Sequence, residues 1–439
     1  MFPRPPGDLL SAVPSPDAHH PYRLLLAESL TGTGSGMNHH LCVVNKRYRR
    51  VGGMLNILAG AAVVTVIATP RVTHAQPRWS LVEEIRIGTP DRPNYDLTWV
   101  NAITTGATGE VYVAQPQDRA VRVYDARGVY RRTLGRRGSG PGEFQGLDGL
   151  GWKGDSLWVS DLSQQRITFF DRTGRVLGTV RAVTPVLPGA GYPSGPAAAL
   201  ADGSLLANPS PSTASVQRRT ATRMPLVRMT RTGAVQGGFG ELDVRGQLES
   251  IRRARLSMTF TLPIQSHSLW AVAPEGSAVV VVHRPTAASR ERGTFQVVRY
   301  DASGRVTLNR SYNYVPKPMA GAVADSIRDY LASMFVERRF VPARGQAESF
   351  ARDSVPLPAF QPPVDGVTVG SDGTIWLRRE HWGATRHEYL VLDRDGDILA
   401  TVVAPPGLRI LHAQRNQAWG VMLDEMEIPY VLRHRVRPR

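Results

Sequence analysis

The sequence predicts an all-β fold assembled from repeated four-strand units, and three observations predict it. Short runs rich in Val, Ile, Tyr and Trp recur from residue 100 to the end. Each is followed by a second apolar run, which in most copies closes on Asp-x-x-Gly or a near variant. Gly and Pro number 42 and 33 among 439 residues, above the ordinary share, as a chain with many turns requires.

The first element is an address. Residues 1–36 are rich in Pro, Gly, Ser and Thr and carry no hydrophobic period. The basic stretch Lys46-Arg47-Tyr48-Arg49-Arg50 precedes an apolar run from Leu55 to Ala68, and Thr73-His74-Ala75 follows. A basic, then apolar, then small-residue order is that of a secretory signal. The apolar run has 14 residues, short of the roughly 17–25 that span a bilayer. We therefore expect residues 1–75 to be an N-terminal extension and signal peptide cut after Ala75, with the native start at Met1, Met37 or Met54. The mature part, 76–439, is expected in the periplasm or secreted, without a membrane span. Cys42 is the only cysteine and lies before the cut, so the mature chain offers neither disulfides nor thiolate chemistry.

The mature chain then repeats. The first copy pairs Gly109–Val113 with Ala120–Gly128, and the second pairs Asp155–Val159 with Arg166–Gly174. Further copies begin at Asp202, Gly276 and Asp372, and a decayed sixth pairs Gln417–Val421 with Tyr430–His434. Such runs are strands. The Asp bonds its own backbone and the Gly accepts positive φ, so the motif is a turn. Four-strand units cannot bury a face alone and must stack, and radial stacking gives a propeller, here of six blades. The spacing from Asp125 to Asp171 is 46, but from Asp301 to Asp393 it is 92. That surplus holds the one strong helical pattern, with Val323, Ile327, Tyr330, Leu331 and Met334 on one face. A helical insertion over about 318–340 is expected. The ends should close the ring, Leu81–Ile87 pairing with residues 428–436 in one sheet.

The stretch Gly135 to Phe144, with Trp158, Ser160-Asp161, Gln165-Arg166-Ile167 and Phe170-Asp171-Arg-Thr-Gly174, resembles an NHL repeat of bacterial exported six-bladed β-propellers. In the first copy Ala114-Gln115 stands where that pattern prefers Ala-Asp. The resemblance implies the fold. It leaves the function among scaffolds, sugar or peptide binders and a few hydrolases and lyases.

Several motifs suggest chemistry and give way to plainer readings. Gly135-x-x-Gly138-x-Gly140 lacks the helix that a phosphate loop opens, so it is an inter-blade loop. Asp393-Arg-Asp395-Gly396-Asp397 has its Gly at the fourth position, not the sixth of a Ca²⁺ loop, and reads as the blade turn. The net charge of +16 comes almost wholly from Arg, since only Lys46, Lys153 and Lys317 are lysines. These cations are scattered as singles and doublets, without a basic tract, which argues against a nucleic-acid partner.

Ligand groups in a propeller come from different blades, at the starts of inner strands. That places Asn101, Asp148, His267 and Asp365 at the channel mouth as candidate ligand-binding residues, with His412 and Arg409 as looser ones. The leading reading is a non-catalytic binding or scaffold module that takes a protein, peptide or saccharide ligand on one face. The alternative is a lactonase-like, metal-dependent hydrolase or lyase, in which those residues hold a divalent cation such as Ca²⁺.

Overall fold

A computed structural model describes residues 77–187, 194–209, 222–245, 249–253, 256–379 and 386–438. The expected signal segment lies outside the described residues. So does His381.

The β-branched and aromatic runs are strands. β1 (Arg78–Ile87) precedes a four-stranded sheet of β2 (Ala102–Thr105), β3 (Val111–Gln115), β4 (Ala120–Tyr124) and β5 (Tyr130–Leu134). The next sheet holds β6 (Gly149–Lys153), β7 (Ser156–Asp161), β8 (Arg166–Phe170) and β9 (Val176–Arg181). A third holds β10 (Pro196–Ala199), β11 (Leu205–Ala207), β12 (Arg223–Met229) and β13 (Val235–Asp243). A hairpin of β14 (Glu249–Arg253) and β15 (Leu256–Phe260) follows. The fourth sheet holds β16 (Leu269–Val272), β17 (Ala278–His283), β18 (Gly293–Asp301) and β19 (Val306–Tyr314). Two helices, α1 (Gly321–Glu337) and α2 (Arg344–Ser354), come next. The last strands are β20 (Gly366–Val369), β21 (Ile375–Arg379), β22 (Glu388–Leu392), β23 (Ile398–Val403), β24 (Arg409–Ala413), β25 (Gln417–Leu423) and β26 (Pro429–Pro438).

The arrangement is propeller-like. First strands lie side by side, β24 against β2, β2 against β6, β6 against β10, β16 against β20 and β20 against β24. Apolar cores fill the gaps between sheets. One joins Leu134 and Val123 to Phe170 and Leu157, and another joins Leu377 and Leu390 to Val280 and Tyr312. Every core of this kind buries side chains that neither sheet could bury alone.

Where six separate units were expected, four four-stranded sheets stand alone. The remaining strands form one eight-stranded sheet in the order β20-β21-β22-β23-β1-β26-β25-β24. The cause is β1. It runs antiparallel to β26 from Trp79↔Pro438 to Ile87↔Val431, the expected closure of the two ends. Its first residues also meet β23 in parallel at Arg78↔Thr401 and Trp79↔Val402.

The Asp turns behave as read. Asp125 accepts from the backbone N–H of Arg127 and Val129, at 2.9 and 2.8 Å, and Gly128 turns back with φ 81°. Asp171, Asp301 and Asp393 repeat the pattern, and Thr230 substitutes its hydroxyl in the third sheet. Asp395 and Asp397 donate backbone N–H to Asp393, so that acidic cluster is a turn. In the Gly135–Phe144 loop, Glu143 accepts from the Gly140 N–H and pairs with Arg136.

The insertion is larger than one helix. α1 buries Ile327, Leu331, Met334 and Phe335 against the β14–β15 hairpin and α2, in a core of their own. α2 was not legible because its buried face is two alanines, Ala347 and Ala351, which make a weak apolar stripe.

Candidate functional site

The sheets present two ends. At one, the first strands begin; at the other, they turn into their second strands. The four sequence candidates lie at the first end, in two pairs. Asn101 Nδ2 donates to the Leu147 carbonyl at 2.7 Å, which sets it beside Asp148 of the neighbouring sheet. Asp148 Oδ2 accepts the Leu162 N–H at 2.7 Å. Asp148 keeps an open surface, yet the protein crowding around it pushes its carboxyl up to about 6, and the like charge of Asp161 adds to this.

His267 and Asp365 form the second pair, on either side of Arg284. The buried Arg284 donates Nε–H to the His267 carbonyl at 2.6 Å and Nη1–H to the Val364 carbonyl at 2.5 Å. Burial and then the Arg284 charge push His267 down to about 3. Asp365 is ion-paired with Arg378 at 2.9 Å. A cation brought here would meet two guanidinium groups. Among the described residues no group of three or more His, Cys, Asp or Glu is placed to share a metal ion.

These contacts follow a rule. Arg409 donates to the Val100 carbonyl at 3.2 Å, Asn101 to Leu147 and Arg284 to Val364. Each acceptor stands two residues before the first strand of the next sheet. A side chain therefore latches each of these sheets to its neighbour by a carbonyl that no ladder uses. The latch leaves Asn101 Oδ1 buried without a hydrogen-bond partner.

His412 belongs to the other end. Its Nε2 lies 3.2 Å from Thr105 Oγ1, at the close of β2, and burial pushes its pKa down to about 4. It lines a cavity of about 250 Å³ together with Glu110, Trp152, Glu275, Ser371 and Gln414. The lining comes from the turns and adjoining strand residues of four sheets, so only their mutual packing assembles it.

Two close approaches seat Glu275. The Trp152 N–H donates to the Pro274 carbonyl at 2.7 Å, and a Cβ on Gly151 would stand 2.5 Å from that oxygen. The Ala201 N–H donates to the Gly276 carbonyl at 3.0 Å, and Gly276, at φ 68°, lies where a Cβ would meet the Ala199 carbonyl at 2.5 Å. The Pro274–Gly276 turn is thus drawn across two neighbouring sheets, and its carboxyl is carried to the cavity wall.

The polar groups there are unevenly satisfied. Glu110 takes Arg132 at 3.0 Å and the Tyr112 hydroxyl at 3.1 Å, and Arg172 pairs with Asp155 at 2.5 Å. Trp152 Nε1 and Glu275 Oε2 are buried with no partner. Burial raises the Glu275 carboxyl and the Asp372 charge adds to this, while hydrogen bonds from its own backbone and from Ser371 oppose it. Leaving a buried polar atom unpaired costs about 1–3 kcal/mol. Both atoms have almost no accessible surface, so they lie behind the cavity wall. Sequence reading missed the cavity, since its only local signals are a Trp and a Glu at first-strand turns.

No family model matches the chain, and no curated protein matches it. Solved structures similar to it include a DUF4221 family member from Bacteroides vulgatus, 10% identical, covering 83% of this chain and 100% of that one at a TM-score of 0.46. Virginiamycin B lyase from Staphylococcus aureus is 12% identical, covering 82% of this chain and 99% of its own at 0.39. The calcium-binding protein regucalcin from Agrobacterium tumefaciens is 12% identical, covering 82% and 97% at 0.36. The fold reading stands on the strand pairing itself.

Proposed function

We propose that the protein is an exported, six-unit propeller and a non-catalytic binding module whose ligand site is the cavity at the hairpin-turn end. The six-unit count treats the eight-stranded sheet as β20–β23 and β24–β26 with β1, joined by only two residue pairs. Export rests on the basic, apolar and small-residue order at 46–75. Residues 76–439 would then be the working protein.

The observation that carries the binding reading is the cavity itself, about 250 Å³ and walled by side chains of several sheets, among them Glu110, Trp152, Glu275 and His412. Binding is favoured over catalysis by the state of the imidazole. A general base works best with a pKa near the operating pH, and His412 at about 4 is far below neutrality. The charges of Glu110 and Arg172 are already engaged within the protein.

A thermal-shift screen of small polar metabolites tests the proposal. Stabilising compounds should lose their effect in Ala107→Trp, which blocks the cavity from its exposed rim while leaving the melting temperature of the free protein unchanged. Compounds that stabilise the variant equally would move the site to the other end of the sheets.

A further inference from the structure

The charges around the cavity narrow the class of ligand, provided it is the ligand site as proposed above. Glu110, Arg172 and Glu275 stand in its wall. Glu110 is matched by Arg132 at 3.0 Å, and Arg172 by Asp155 at 2.5 Å. His412, bonded to Thr105 and with a pKa near 4, adds no charge at neutral pH. Glu275 has no such match. Its own backbone and Ser371 donate to its carboxyl, and the neighbouring charge that bears on it is the like charge of Asp372. Asp372 in turn is held by the Thr374 N–H and hydroxyl and by the Arg415 backbone N–H. Neutral donors fix a carboxylate in place without cancelling its charge. This side of the cavity is therefore negative, in a protein whose net charge is +16.

Selection by that charge needs no contact between Glu275 and the guest. A round space of about 250 Å³ is about 8 Å across, within the roughly 8–10 Å over which physiological salt screens a charge. Burial raises the Glu275 carboxyl, and a cation nearby is the kind of neighbour that keeps it ionised. A metal ion suits the wall poorly, since among the described residues no three His, Cys, Asp or Glu are placed to share one. An organic cation suits it better. The wall holds Ala107, Tyr112 and Trp152, and an indole is the aromatic group that attracts an ammonium most strongly. The volume is below the roughly 300–1,000 Å³ of pockets that take drug-sized molecules, so the guest is small.

We infer that the cavity takes a small organic cation, an ammonium group on a short hydrocarbon skeleton, drawn by the unmatched charges of Glu275 and Asp372 and seated beside Trp152. Primary and quaternary ammonium groups share this chemistry, and only the primary one also donates hydrogen bonds.

Titration calorimetry on the purified chain tests this with choline and ethanolamine, against D-glucose, acetate and calcium chloride as neutral, anionic and metal probes. At least one of the two ammonium compounds should bind saturably, and more weakly as sodium chloride is raised. Glu275→Gln keeps the side chain's size, removes its charge and should weaken that compound at least tenfold. Thr108→Lys brings a positive charge to the exposed rim and should weaken it as well. Melting temperatures show that each variant is folded, and the exposed Thr108 keeps the test open if Glu275→Gln is not. Which compound binds tells a quaternary from a primary guest. If glucose, acetate or calcium binds and is excluded by Ala107→Trp while neither ammonium compound binds, the cation assignment fails and the cavity reading survives. If an ammonium compound binds and neither Glu275→Gln nor Thr108→Lys weakens it, or no probe binds at all, the assignment is overturned. A compound that stabilises the chain and Ala107→Trp alike would sink the cavity reading separately.

Discussion

Asp161 and Gln115 hold equivalent places at the ends of β7 and β3, and they show how one task can be done by different residues. Asp161 is wholly buried and accepts the backbone N–H groups of Gln145, Gly146 and Gln164. Gln115 departs from the NHL-like pattern, yet its Oε1 accepts the Thr98 N–H at 2.9 Å and so ties the matching loop of the first sheet. Gln115→Ala would strand that donor, and we expect a loss of about 1–3 kcal/mol in urea unfolding. Asn101 was legible as a special residue because it precedes a first strand. Its role was not, because the Leu147 carbonyl it holds is 46 positions away. Asn101→Ala should cost about 1 kcal/mol of stability and leave ligand affinity unchanged. Unchanged stability with lost affinity would return it to the site. His412 sets a pH dependence. An unfolded His titrates near 6.5, and the buried His412 near 4. Above 6.5 both states are neutral and stability is complete. Between 6.5 and 4 only the unfolded chain gains the proton, so stability falls by roughly 1.4 kcal/mol per pH unit and then levels. His412→Asn should flatten part of that decline, and urea midpoints from pH 7 to 4 would show an unaltered slope if the imbalance lies elsewhere.

Strand pairing between the chain's two ends is the element on which the ring depends. β1 was readable from its alternation and β26 from its apolar run, because an open edge needs a partner. The side contact of β1 with β23 was not readable, since it involves only Arg78 and Trp79 at the strand's first turn. A chain truncated to begin at Asp91 should lose cooperative unfolding, because Ile87 and Val431 share a core with Trp419 of their own sheet and Val111 of the neighbouring one. A single sharp transition at the wild-type midpoint would count against closure. The inserted helices are a different matter. They share one core with β14–β15, and that core includes no strand of the four-stranded sheets. Deleting residues 320–355 should expose Phe260 and Ile264 and promote association, read by light scattering, while the propeller-like part keeps its β-sheet circular dichroism.

At the scale of the molecule, repetition made the fold legible and concealed the site. Each unit repeats its strands and turns, so a few residues per unit sufficed to read the architecture. The cavity gathers Thr105, Trp152, Glu275, Ser371 and Gln414 from strand ends and turns that are far apart in the chain. No local spacing reports that meeting. The same ring sets Asn101, Asp148, His267 and Asp365 at the opposite end, tied in two pairs that latch or ion-pair neighbouring strands. We place the ligand at the hairpin-turn end. Hydrogen–deuterium exchange, with and without a stabilising compound from the metabolite screen, tests it most directly. We expect new protection in peptides covering 104–112, 151–155 and 273–277, and little change at the strand starts. Protection confined to 99–102, 146–149, 266–268 and 364–366 would contradict it.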